Sequence, residues 1–106
     1  MITESHMETA LRYLAETDEQ YAEAKMNLER AEILRKRARQ RVFLTFSGTV
    51  AERHAEAECD ADVSAADGDY VEAIGKYETM KAKRQRAELT IDVWRTLESS
   101  RRRGNV

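Results

Sequence analysis

The chain has 106 residues, 42% hydrophobic and 36% charged, with 18 Lys and Arg set against 20 Asp and Glu. That length suits one domain, and no stretch approaches the roughly 20 apolar residues a spanning helix needs, which excludes a membrane-embedded chain. With no proline and only four glycines, a sandwich or barrel is excluded for want of turn residues, and the hydrophobic content excludes simple disorder, leaving an all-α fold.

The run Met1-Ile-Thr-Glu-Ser-His-Met7 reads as a vector-derived remnant or as natural sequence with equal justification, so residues 1–6 are set aside and the first helix is taken from Met7. From there Met7, Leu14, Tyr21, Leu28, Arg35 and Val42 recur every seven residues. Three positions after each come Ala10, Thr17, Ala24, Ala31, Ala38 and Thr45. This heptad of one large and one small residue predicts a helix over about 7–46 that another helix can approach closely. Ser47-Gly48-Thr49 breaks the pattern, and Thr49 with Glu52 has capping-box spacing, so a short helix is predicted over about 50–58. Asp60 is the next candidate N-cap, with Asp62 placed to favour the positive end of the helix dipole. The second long heptad then reads Val63, Tyr70, Tyr77, Arg84, Ile91, with Ala66, Ala73, Met80, Ala87, Trp94 at its partner position. It predicts a helix over about 61–101 that stops before Gly104. Gly68 and Gly75 are its weak points, each costing about 1 kcal/mol against alanine.

Charge blocks set how the long helices pair. Residues 1–29 hold seven acids and two bases, and residues 30–41 hold one acid and six bases. Residues 52–78 hold nine acids and two bases, and residues 81–103 hold three acids and eight bases. Folding back near residue 54 brings Glu16, Asp18, Glu19 and Glu23 alongside Lys81, Lys83, Arg84 and Arg86. It also brings Arg35, Lys36, Arg37, Arg39 and Arg41 alongside Asp67, Asp69 and Glu72. Exposed pairs contribute little stability each, so their role is to select the antiparallel register. The predicted architecture is an antiparallel, coiled-coil-like helical hairpin with a short helix at the turn. Arg35 and Arg84 fall at seam positions, where polar residues fix register at a cost in stability.

Two helices hide only one seam, yet Leu11, Tyr13, Met26, Ile33, Leu34, Phe43 and Leu44 lie off it, as do Val71, Ile74, Leu89, Val93 and Leu97. Small residues at Ala61, Gly68, Gly75 and Ala82 line the far side of the last helix. Both features predict a homodimer packing two hairpins into a four-helix bundle. The alternative is that the short middle helix folds back to cover part of this surface. Tyr13, Met26, Ile33, Phe43, Gly68 and Gly75 are the candidate partner surface.

No catalytic set emerges. Only His6 and His54 are present and neither has Glu-x-x-His spacing for a dimetal site. His54, Glu58, Cys59 and Asp62 lie close in sequence as a weak zinc set, for which a solvated corner is the better reading. Cys59 is flanked by Glu56, Glu58, Asp60 and Asp62, a poor setting for a nucleophile. There is no glycine-rich phosphate loop and no Gly-x-Ser-x-Gly elbow. The chain is therefore read as a non-enzyme with no cofactor and no metal. The seam tyrosines and Trp94 are read as packing. Arg35, Lys36, Arg37, Arg39 and Arg41, with Arg101, Arg102 and Arg103, are candidate nucleic-acid contacts, since arginine clusters grip phosphates without reading sequence. The net charge of −2 and the facing acidic blocks favour a structural role for them instead.

Two runs carry a resemblance: Met7-Glu-Thr-Ala-Leu-Arg-Tyr-Leu-Ala-Glu-Thr-Asp18, and Ala87-Glu-Leu-Thr-Ile-Asp-Val-Trp-Arg-Thr-Leu-Glu98 with its closing Arg101-Arg-Arg-Gly-Asn-Val106. On these the chain resembles a group of small phage and prophage helical proteins. The resemblance implies a natural start at Met7 and a role around DNA metabolism or host takeover, and it transfers no site residues. Together with a single cysteine and no secretory signal, it places the expected site of action in the cytoplasm of a bacterial host. The expected function is non-catalytic binding to a host or phage protein, as inhibitor or adaptor. The alternative is an accessory DNA-associated role in phage recombination or replication.

Overall fold

A computed structural model of the chain describes residues 1–104. Helix α1 covers Glu4–Thr45, α2 Val50–Cys59 and α3 Ala61–Gly104, and no strand occurs among the described residues. The fold is an all-α helical hairpin in which α1 and α3 pack together. Two compact units make it up: Met1–Ala22 with Glu78–Val106, and Glu23–Tyr77.

The helix boundaries correct the sequence reading at both ends. Residues 4–6, which were set aside, form the first turn of α1. The reason is local: the Thr3 hydroxyl accepts from the His6 backbone N–H (3.3 Å), and His6 Nδ1 accepts in return from the Thr3 N–H (3.1 Å). A histidine thus takes the place that glutamate holds in the usual capping box. At the other end α3 runs through Gly104 rather than stopping at 101. No glycine here has a positive φ, so Gly104 lies within α3 and is not a left-handed cap beyond it. The arginines at 101–103 lie in that last turn, where the helix dipole favours positive charge.

Glu23–Tyr77 holds the turn. Ala38, Val42, Ala57 and Val63 form its buried cluster, with Phe46 and Ala66 packed against it. Ala57 and Val63 are each only 2% exposed, so α2 closes the end of the hairpin by inserting one small side chain between the long helices. Thr49 caps α2, its hydroxyl accepting from the Glu52 N–H at 3.2 Å. Asp60 then does double duty: its own N–H bonds back to the Ala57 carbonyl, and its Oδ1 accepts from the Asp62 and Val63 N–H groups at 2.9 and 3.1 Å. A single residue therefore ends α2 and starts α3. The middle helix also covers Phe43, whose ring meets His54 edge-on at 4.6 Å.

In Met1–Ala22 with Glu78–Val106, Ala10, Ala87 and Ile91 form the buried cluster, with Met7, Tyr13 and Leu14 against it. Every predicted seam position from Met7 to Val42 and from Val63 to Trp94 is buried or half-buried; Thr45, in the last turn of α1, is exposed. The large–small heptad is therefore the seam.

Candidate interaction surface

The charged residues divide into those the hairpin uses and those it leaves over. Arg84, with a side chain 14% exposed, shows the first kind. Its Nη1 donates to the Leu14 carbonyl (3.0 Å) and to Thr17 Oγ1 (2.7 Å), and its Nη2 donates to Asp18 (2.6 Å). The plane lies over the Tyr21 ring, 5.0 Å from its centroid. Thr17 completes the arrangement by donating to the Tyr13 carbonyl at 2.7 Å. Four positions of one α1 face, at 14, 17, 18 and 21, thus receive one guanidinium, as i, i+3, i+4, i+7 spacing on a helix allows.

Arg35 and Arg39 play the matching part in the other unit. Arg39 forks between Glu58 of α2 (2.8 Å) and Asp67 Oδ2 of α3 (2.6 Å). Arg35 lies over the Tyr70 ring at 4.6 Å, with its Nε 3.5 Å from Asp67 Oδ1. That separation is a charge contact too long for a good hydrogen bond, and Oδ1 is buried with no hydrogen-bond partner. Asp67 is thereby held between two arginines.

Of the candidate nucleic-acid contacts, Arg35, Arg39 and Arg41 are taken up by acids of α2 and α3, Arg41 pairing with Asp62 at 3.7 Å. Lys36 pairs along its own helix with Glu32 (3.3 Å), and Arg101 with Glu98 (3.2 Å). Arg37, Arg102 and Arg103 are exposed and make no ion pair among the described residues. Five of the eight are thus held by carboxylates. The zinc set is dispersed: His54 is against Phe43, Glu58 is bonded to Arg39, and Asp62 to Arg41. No group of three or more His, Cys, Asp or Glu among the described residues could hold a metal ion.

The candidate partner surface splits the same way. Tyr13 packs on the Ala10–Ala87–Ile91 cluster and Phe43 on His54, so both are half-buried. Met26 and Ile33 stand out in solvent, 49% and 50% exposed, with Leu34 at 51%. Gly68 and Gly75 face open space, where an added Cβ would meet nothing within 4 Å. Met26, Glu29, Arg30, Ile33, Leu34 and Arg37 line one shallow open depression along α1. Glu29, Arg30 and Leu34 were not among the sequence-predicted site residues. The signal for them was present: positions 26, 30, 33, 34 and 37 recur at helical spacing opposite the seam. On α3, Val71 and Leu89 are exposed at 66% and 61%. No protein-family model matches the chain, and neither curated proteins nor solved structures match it.

Proposed function

We propose that this protein is a non-catalytic helical module that acts by binding other protein chains, as an inhibitor or adaptor of a host or phage factor in the bacterial cytoplasm, and that it does so as a homodimer. The observation that carries this reading is the set of large apolar side chains the hairpin leaves in water: Met26, Ile33 and Leu34 on α1, Val71 and Leu89 on α3. Exposed apolar groups at recurring helical positions are what a partner helix covers. The phage assignment is supported by the resemblance of the runs at 7–18 and 87–98. No helix among the described residues is long and apolar enough to cross a membrane.

Capture from bacterial host lysate tests the reading. Immobilised wild type should retain a defined protein that Val71→Glu and Leu89→Glu variants release, both substitutions lying outside the seam and preserving helicity. An identical set of captured proteins for all three baits would reject it.

A DNA-associated role is the second reading, favoured only by Arg37, Arg102 and Arg103, which the hairpin leaves exposed and without ion pairs among the described residues. The engagement of Arg35, Arg39 and Arg41 by carboxylates weighs against it.

A further inference from the structure

We infer that a second copy of this chain docks on the outer face of α1 between Glu23 and Arg37, antiparallel to it, with the two-fold axis beside Glu29 and Arg30. This rests on the homodimer reading above and adds to it a surface and an orientation.

The face has an apolar centre and charged ends. Met26, Ile33 and Leu34 are each about half exposed, and they share one shallow depression with Glu29, Arg30 and Arg37. Glu23 lies one turn before Met26 on the same face, by helical spacing. Its end of the stripe is therefore acidic and the Arg37 end basic. None of Glu23, Glu29, Arg30 or Arg37 makes an ion pair among the described residues, although Arg35, Arg39 and Arg41 beside them all do. The charges on this face are free to meet a partner.

Two-fold symmetry decides which partner fits. A symmetric interface brings the same patch together from both copies, so the patch must complement itself. With the helices parallel, Glu23 would face Glu23, Arg30 would face Arg30 and Arg37 would face Arg37, all like charges. With the helices antiparallel about Glu29 and Arg30, Glu23 meets Arg37 of the other copy and Glu29 meets its Arg30. Met26 meets its Ile33 and Leu34. Every charge finds its opposite and every apolar group another apolar group. Apolar burial supplies the affinity, and the ion pairs, weak one by one, supply the orientation.

The stripe is about 15 residues or roughly 22 Å long. It is smaller than the 1,200–2,000 Å² or so buried in stable specific complexes, and so gives a reversible, concentration-dependent dimer. The small-residue stripe of α3 is the other candidate surface, but Gly68 and Gly75 only offer open space, with nothing that points to an occupant.

Sedimentation of the full chain over a wide concentration range tests the inference. Wild type should pass from monomer to dimer, and Ile33→Glu should weaken association by roughly tenfold or more, about 1.4 kcal/mol, with unchanged circular dichroism. Glu23→Arg and Arg37→Glu should each weaken it, and the double variant should recover it, because exchanging the charges preserves every cross-axis pair. In a Cys59→Ser background, Arg30→Cys should form a disulfide with its copy under oxidation, and Glu23→Cys should not. A wild type that stays monomeric would overturn both the surface and the homodimer. A dimer indifferent to Ile33→Glu would overturn the surface alone and leave the homodimer standing. Weakening without recovery in the double variant, or a disulfide at Glu23→Cys, would overturn the antiparallel arrangement.

Discussion

An arginine placed in a helix–helix seam must keep its guanidinium supplied with acceptors or lose more than its stem gains by packing. Arg84 meets that demand with a carbonyl, a hydroxyl, a carboxylate and a ring face, all from one stretch of α1. The heptad pattern marked Arg84 and Arg35 as seam residues that set register, but it did not show Thr17 as an acceptor. A small residue at that position reads as close approach, and only the geometry reveals the hydroxyl as the bridge between Arg84 and the Tyr13 carbonyl. We expect Arg84→Ala to lower unfolding free energy by about 2–3 kcal/mol, since hydrogen bonds to charged groups are each worth about 1.5–3 kcal/mol. Arg84→Met should cost less, because it keeps the stem and leaves no buried charge behind. Urea titration of the two variants checks the order, and a larger loss for methionine would show that the stem's packing, not the guanidinium, is misread. Asp67→Ala should cost about 1–2 kcal/mol by the same measurement, because it strips Arg39 of its 2.6 Å bond and Arg35 of its facing charge. Its partial exposure keeps the figure at the low end.

At the scale of elements, the turn is where sequence and structure part most. Val42 packs with Val63, and one heptad back on α1 and one forward on α3 Arg35 meets Tyr70. In the other unit the same step runs from Tyr21 and Arg84 to Leu14 and Ile91. That register follows from heptad spacing and charge alone. What could not be read was how far α2 reaches back, because ten residues with one buried alanine have too weak a pattern to aim them. Phe43 accordingly reads as exposed in the sequence and lies against His54 in the structure. Gly48 belongs to the same corner. Its φ is not positive, and a Cβ there would meet the Glu52 carboxylate at 2.8 Å and the Phe46 ring at 3.3 Å. The carboxylate is the flexible end of an exposed side chain and can swing away, so a side chain here would be hindered only by the 3.3 Å contacts with the Phe46 ring and the Glu52 Cβ. Asp60 joins α2 to α3 through three backbone bonds, so Asp60→Ala should cost about 1–2 kcal/mol. It should also raise amide exchange at Asp62 and Val63 ahead of the rest of α3. Uniform exchange along α3 in that variant would deny Asp60 its capping role. Gly68 and Gly75 predict the reverse sign. With open space around each, Gly68→Ala and Gly75→Ala should each raise stability by up to about 1 kcal/mol. If association on α1 is right, neither should change the sedimentation of the dimer.

For the whole molecule, the balance of charge bears on partners more than any one cluster does. Twenty acids nearly balance 18 bases. Of the expected cross-helix pairs, Arg84 meets Asp18, and Arg35 and Arg39 meet Asp67, while Lys36 and Glu72 pair within their own helices. A phosphate backbone would have to displace carboxylates already 2.6–2.8 Å from Arg39. The exposed arginines that make no ion pair among the described residues, Arg12, Arg30, Arg37, Arg86, Arg95, Arg102 and Arg103, are scattered along α1 and α3, and only Arg102 and Arg103 are neighbours in sequence. Scattered charges engage few phosphates at once and release few counterions, so any DNA affinity should be weak at every salt concentration and should fall only shallowly as salt rises. Fluorescence anisotropy with a labelled single strand and a labelled duplex, at low and physiological ionic strength, should show binding to neither at the higher salt. Arg102→Ala with Arg103→Ala should weaken whatever remains at the lower. Removing Asp67 offers the converse test. Asp67→Asn frees one fork of Arg39 and uncovers the basic block of α1. If the acidic blocks are what hold this surface back from phosphates, that variant should bind DNA more tightly than wild type at low salt. Wild-type binding that persists at physiological ionic strength would instead mean that the carboxylates yield to phosphate, and the basic clusters would have to be counted as a working surface.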